Sequence, residues 1–411
     1  MKEEDLIASF CERTARKVKG GHVLALQDTT EFNFFWNKNR KRPDSGLGVC
    51  TNPHSLGFML HPTLAIDADT SEVYGFSHIR VWHREADNGT KYERDYKRLP
   101  VTKKESNKWL ESSIQSRLSL EKADMVTIVE DREGDIYKQF SDAPGGTVHL
   151  LVRNSQNRKL DNGKRLHAHL KELPVQGSYE MDIVQSTPSG YQKRKARMQV
   201  RFDQVTLLKP GRLRDESPER VSLSVVDVSE VNYPESSQQV NWKLLTTHPV
   251  NTVADALQIV RWYSQRWYIE QLFRLLKRKG FQLEHSELES GWAIRKLTIM
   301  AMQSALTILQ LKLALQQNEQ LCAKQSFSSG QIKCLTLLNE KYQGTTEKQR
   351  NPYSPETLAW AAWIIARIGG WKAYQSQRPP GLITLKEGLN RFEDIFNGFM
   401  IFMDNGDVCT P

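Results

Sequence analysis

The chain has 411 residues, too many for one ordinary domain and enough for two or three. Hydrophobic residues at 39% and charged residues at 26% allow a packed core, and 24 Gly and 16 Pro exclude a collagen-like or low-complexity chain. Lys and Arg number 57 against 48 Asp and Glu, a formal net charge of +9 that suits a polyanionic partner without requiring one. The five cysteines (Cys11, Cys50, Cys322, Cys334 and Cys409) are scattered and form no C-x-x-C pair, which argues against a disulfide scaffold or zinc knuckle and for a reducing compartment. The N-terminus is charged from its second residue and does not read as a signal peptide. No run reads as the roughly 20 apolar residues of a membrane span. A cytoplasmic protein without a membrane partner is therefore expected.

In chain order, Glu3–Lys19 reads as a helix that stops at Gly20 and Gly21. The run His22–Thr30 (HVLALQDTT) reads as a buried strand ending at Asp28. Two further strands, Leu56–Asp67 and Val73–Trp82, are joined by the turn chemistry of Ala68–Glu72. A charged helix over Lys104–Leu120 comes next, then an apolar strand that ends on Asp131. This order predicts a mixed sheet with helices on its faces. Residues Gly146–Thr247 read as a β-rich insertion. Within it Lys195, Arg197, Gln199 and Arg201 alternate with Ala196, Met198, Val200 and Phe202, which gives a strand one cationic and one apolar face. From Thr252 the period becomes helical. Thr252 and Asp255 resemble a capping box, and one uninterrupted helix is expected from Val253 to Lys279, with Gly280 as its stop. Gly291–Gln317 reads as a long buried helix. Ser354–Ile368 and Leu385–Phe399 are further helical pieces, separated by GGWKAYQSQRPPG.

A lone Asp at the end of a strand is ordinarily turn chemistry. Asp28 and Asp131, as a pair from adjacent strands, form a candidate site for a hard divalent cation. The helix adds to this. Tyr263, Arg266, Glu270, Arg274 and Lys277 are spaced by 3, 4, 4 and 3 and share one stripe. Ile269, Leu272, Phe273 and Leu276 form the neighbouring apolar stripe. One acid cannot neutralise three cations, so the stripe suits a phosphodiester beside a bound metal better than a solvated ion-pair face. Two aspartates and a glutamate could hold two ions, the arrangement used for phosphodiester hydrolysis.

Three segments then carry a family resemblance: QDTT at Gln27–Thr30, EDREGDIY at Glu130–Tyr137, and the Tyr263, Arg266, Glu270, Lys277 pattern. Together they resemble the signatures of DDE transposases, the last being the YREK signature of bacterial insertion-sequence enzymes related to the transposon-five transposase. The resemblance spans about residues 20–400. It implies an α/β, RNase H-like (retroviral-integrase-like) mixed sheet with helices on both faces, interrupted by a β-rich insertion and followed by a helical C-terminal region. The corresponding domains are 1–22 (N-terminal helix), 23–145 (first part of the core), 146–247 (insertion), 248–320 (second part of the core) and 321–411 (dimerisation region). Asp28, Asp131 and Glu270 match the catalytic, metal-binding triad, with two Mg²⁺ ions implied and Mn²⁺ as a substitute. Tyr263, Arg266, Arg274 and Lys277 match residues that hold DNA phosphates. Trp242 matches a tryptophan that stacks on a flipped base, and Arg132 a position near the scissile end. The implied reaction is cut-and-paste transposition: hydrolysis that frees a 3′-hydroxyl, hairpin formation, reopening, and strand transfer into target DNA. The implied partners are double-stranded DNA with terminal repeats, target DNA and a second copy of the chain, in a bacterial cytoplasm and on its nucleoid.

Two departures stand against this pattern. Only 27 residues precede Asp28, where the branch carries an end-recognising domain, and Tyr137 stands at a position of a family His, so no proton-transfer role falls to it. The short N-terminal side motivates a second expectation, a non-catalytic copy that binds DNA or sequesters longer subunits. A general RNase H-like nuclease is a third.

Overall fold

The computed structural model describes residues 2–35, 39, 41–42, 45–52, 54–85, 100–187, 190–234, 239–278, 280–317, 321–344, 346–374 and 377–405. Cys409, the expected helix end at Lys279, and Gln375 and Ser376 of the C-terminal run lie outside the described residues.

The chain opens with α1 (Glu3–Lys17), which has Glu3, Glu4 and Asp5 in its first turn and Arg16 and Lys17 in its last, both favourable to the helix dipole. Then follow β1 (His22–Gln27), β2 (Thr30–Asn33), β3 (Gly48–Val49), β4 (Leu56–Asp67) and β5 (Val73–Trp82). Next come α2 (Asn107–Ser119), β6 (Met125–Glu130), α3 (Tyr137–Asp142), β7 (Val148–Arg153) and α4 (Leu166–Glu172). The β-rich stretch supplies β8 (Gly177–Thr187), β9 (Gly190–Leu208), β10 (Arg220–Val231) and β11 (Asn241–Thr246). The rest is helical: α5 (Val253–Ser264), α6 (Trp267–Lys277), α7 (Gly291–Gln317), α8 (Ser329–Tyr342), α9 (Leu358–Ile368) and α10 (Leu382–Asn405).

Among the described residues all eleven strands join one sheet, in the order β2-β4-β1-β6-β7-β11-β10-β9-β8, with β3 and β5 also paired to β4. At its centre β4 is antiparallel to both β5 and β1, whereas β6 is parallel to β1 and to β7. This mixed arrangement, covered on both faces, is the expected α/β, RNase H-like class. Strand β1 shows why both faces must be covered. Leu24 and Leu26 enter a core shared with α5, α6, α7, α9 and α10. Val23 and Ala25 enter a second core with α2, α3 and α4. Alternate residues of one buried strand thus feed two layers.

Three local expectations change. Val148–Arg153 falls within the expected β-rich insertion, but as β7 it pairs in parallel with β6. The β-rich stretch then continues the same sheet, because β11 pairs antiparallel to β7. In β9 the alternation holds: Ala196, Met198, Val200 and Phe202 are buried, Lys195 and Arg197 are exposed, and Gln199 and Arg201 are half-buried. The single helix expected over Val253–Lys279 is two helices, α5 and α6. Between them the amides of Gln265, Arg266, Tyr268 and Ile269 bond to carbonyls three residues back, a 3₁₀ tightening that no Gly or Pro announces. Finally, α7 is long and apolar enough to cross a membrane, contrary to the expectation that no run is; most of it is buried inside the protein. Behind it α9 and α10 approach so closely that a Cβ on Gly388 would stand 1.9 Å from the Ile365 carbonyl oxygen.

Candidate active site

The parallel pairing of β1 with β6 sets the first half of the site. Leu26 pairs with Val129, so continuing the register places Asp28 opposite Asp131, just beyond the strand ends. The backbone N–H of Thr29 donates to Asp28 Oδ1 at 2.8 Å. Beneath the two aspartates lies a buried polar layer. The Gln27 amide lies 3.0 Å from Ser113 Oγ and 3.2 Å from His61 Nε2, and His61 Nδ1 lies 2.8 Å from Thr29 Oγ1. Glu130 accepts from Ser113 Oγ at 3.2 Å and from Gln139 Nε2. Burial holds the Glu130 carboxyl well above its ordinary pKa. Only a glycine fits over it, since a Cβ on Gly134 would come within 2.1 Å of Glu130 Oε2.

The break between α5 and α6 sets the second half. It turns Arg266 inward, where one guanidinium meets all three carboxylates. Nη1 donates to Asp28 Oδ2 at 2.9 Å, and Nη2 donates to Glu270 Oε1 and lies 3.8 Å from Asp131 Oδ2. Burial opposes the Arg266 charge, but Tyr263 and the three carboxylates hold it on, raising its pKa. For Asp28 burial wins: its pKa rises to about 6 despite Arg266 and the Thr29 N–H, and the neighbouring Glu270 and Asp131 add to the rise. Tyr263, 4% exposed, donates its hydroxyl to Asp131 Oδ1 at 3.0 Å. Burial and the Asp131 charge push that phenol up to about 12.

The remaining sequence candidates spread out from this centre. Lys277 is not free: its Nζ donates to the Glu31 carbonyl at 2.6 Å and lies 3.3 Å from Glu284. Arg274 is exposed and makes no ion pair among the described residues. Trp242, half-buried on β11, sets its ring 5.5 Å from that of Tyr263 at 65°. It is therefore neither a free indole nor fully enclosed. Arg132 is exposed and lines a groove of about 600 Å³ with Arg153, Lys171, Arg201 and Lys243.

The structure adds one residue that the sequence pattern does not single out. Arg153 lies 3.8 Å from Asp131 Oδ1. It ends β7 just as Asp131 follows β6, in register with it. The only signal for it is positional, a cation closing the apolar run Val148–Val152.

Could this centre hold metal? The donor set fits a hard divalent ion, because three carboxylates from two strands and a helix already share one cation. Among the described residues no three His, Cys, Asp or Glu side chains are grouped closely enough to hold an ion as they stand, with the guanidinium between them.

The sequence pattern described as a transposase DDE domain matches residues 67–307, more than half of the chain. The match contains Asp131, Trp242, Tyr263, Arg266 and Glu270 and begins after Asp28.

Proposed function

The chain belongs to the DDE transposases, and from that premise we propose that Asp28, Asp131 and Glu270 are its catalytic carboxylates. The observation that carries this reading is their convergence on Arg266 from three separate elements. Such a cluster is costly without a cation, and function is a reason to keep it.

We further propose the specific branch, an enzyme related to the transposon-five transposase that cuts and pastes DNA by hydrolysis, hairpin formation and strand transfer. Asp28, Asp131 and Glu270 would hold Mg²⁺ or Mn²⁺, and Arg266 would give up part of its contact with them. When bound, paired divalent ions supply an activated attacking oxygen and stabilise the leaving oxygen. The protein's own groups do the rest. Tyr263 fixes the orientation of Asp131 through its hydroxyl. Arg266, once it turns toward substrate, can grip two phosphate oxygens through its planar fork. Arg153 beside Asp131, the exposed Arg132 and Arg274, and Lys277, once released from Glu284, would hold the flanking phosphates. Trp242 lies against Tyr263, where a base removed from its stack would find a replacement partner. The chemistry needs no covalent protein intermediate. The C-terminal helices α8–α10 would join two copies, each bringing one DNA end.

The test is cleavage of duplex DNA bearing the inverted repeats that flank the coding region. The wild type should release a 3′-hydroxyl at the repeat terminus with Mg²⁺ or Mn²⁺ and not with EDTA. Asp131→Ala should bind the same DNA without cutting it. Cutting by Asp131→Ala at the wild-type rate would remove the assignment.

A further inference from the structure

A second charged feature lies off the catalytic centre. A cleft of about 1000 Å³ is walled by the β9–β10 connection, the loop following β7, and residues 100–106. It shares that loop with the groove beside Asp131: Asn154 and Ser155 line the groove, whereas Gln156, Asn157 and Arg158 line the cleft. Eight Lys and Arg residues line the cleft against two Asp.

Both acids pair with cations of the cleft itself, and acids beside it pair with two of its lysines: Glu219 lies 3.6 Å from Lys209 and Asp142 2.8 Å from Lys138. Asp135 Oδ2 accepts from Asn154 Nδ2, Ser155 N and Gln156 N at 3.0, 2.7 and 2.8 Å, and its Oδ1 pairs with buried Arg158. Asp215 accepts from Ser217 N at 3.1 Å and lies 3.9 Å from Lys209. Lys159, Arg212 and Arg214 are left exposed, with no ion pair among the described residues. Arg212 also faces Lys104 from another chain segment. Burial first, then the Arg212 charge, hold the Lys104 ammonium below its ordinary pKa. Val101, Ile136 and Leu213 supply apolar surface between the cations. Three of the eight cations are thus neutralised, whereas Lys159, Arg165, Arg212 and Arg214 remain without an ion pair among the described residues around one concavity, a local surplus of positive charge.

We propose that this cleft binds the sugar-phosphate backbone of duplex DNA away from the reacting phosphodiester. Cations spaced along apolar patches match a polymer that alternates phosphate and sugar. The proposal rests on the DNA-acting reading above and adds a second binding surface to it. The duplex could be the far part of the transposon end or the target, and the experiment separates them.

The triple variant Lys159→Gln, Arg212→Gln, Arg214→Gln in the full chain removes three exposed charges, and a melting temperature equal to the wild type confirms its fold. Affinity is measured across a salt series for a mixed-sequence duplex and for a duplex carrying the terminal repeat. The slope of log affinity against log salt should fall by about two to three, at roughly 0.9 for each phosphate no longer neutralised by the protein. A fall on the repeat duplex alone assigns the cleft to the transposon end. A fall on both duplexes assigns it to general backbone binding, as target capture requires. Slopes unchanged on both overturn the proposal. A wild type that cuts no DNA while the variant still shows the reduced slope would remove the catalytic reading and leave the cleft in place.

Discussion

Strands β1, β6 and β7 run in parallel, so their first residues form one end of a layer and their last residues the other. At the carboxyl end stand Asp28, Asp131 and Arg153. At the amino end stand His22, Thr127 and His149, joined by His248 and Trp262. Both ends bury polar groups, but they resolve the cost differently. At the carboxyl end opposite charges meet, and Arg266 and Tyr263 keep Asp131 and Glu270 company. At the amino end like groups meet: His149 stacks on His248 at 3.8 Å, and Thr127 Oγ1 lies 2.7 Å from both His22 Nε2 and His248 Nε2. Burial and the neighbouring imidazoles drive His248 down to about 3. The contrast teaches that burial among like groups disfavours the charged form, as at His248, whereas countercharges can hold a buried charge on, as the carboxylates do for Arg266.

Substitutions at the two ends should therefore separate activity from stability. The largest effect belongs to Glu270→Ala, which should lower cleavage of terminal-repeat DNA by about a thousandfold or more, the scale of removing a preorganised electrostatic group. Its melting temperature should change little, because Glu270 is partly exposed. At the amino end the effect runs through pH. The folded histidines have pKa values below their unfolded ones, so the unfolded chain binds more protons in acid. Their stabilising contribution is complete above about 6.5 and is lost as pH falls toward about 3, where His248 titrates. Thermal melts from pH 7 to 4 should show that loss, and His248→Gln should flatten it while leaving cleavage at pH 7.5 near wild type. A variant with the same slope as the wild type would break the comparison.

A smaller effect is expected at Arg266. Arg266→Ala leaves three carboxylates without their cation and should destabilise the protein by about 1–3 kcal/mol, discounted for partial exposure. Added Mg²⁺ should then raise the variant's melting temperature more than that of the wild type. Equal shifts would show that the guanidinium and the ion do not share a site. Gly134→Ala should cost about 1–3 kcal/mol by crowding Glu130 and should slow cleavage by shifting the turn after Asp131, measured by chemical denaturation and initial rates.

Much of this site can be read from the chain, because its signals are local. An apolar run that ends on an acid marks a strand and its rim, and spacings of three and four mark one helix face. The strand boundaries at Leu56–Asp67 and Val73–Trp82 and the helix Gly291–Gln317 are visible for the same reason. What stays hidden depends on pairing between distant segments. Arg153 approaches Asp131 only because β7 lies beside β6. The β-rich stretch continues the central sheet only through the β7–β11 pairing. The three histidines come from positions 22, 149 and 248, and no spacing announces their meeting. The kink at Gln265–Arg266 interrupts a hydrophobic period that continues through it, so tertiary demand overrides local propensity there. That kink is what carries Arg266 into the carboxylates.

The most direct measurement concerns Asp28, which the family match does not reach. Cleavage of terminal-repeat DNA with Mg²⁺ should be compared between the wild type and Asp28→Asn, a substitution that keeps size but removes the charge and one of the two accepting oxygens. We expect Asp28→Asn to fall to the level of Glu270→Ala while still binding the DNA. Cleavage by Asp28→Asn at the wild-type rate would contradict a three-carboxylate centre.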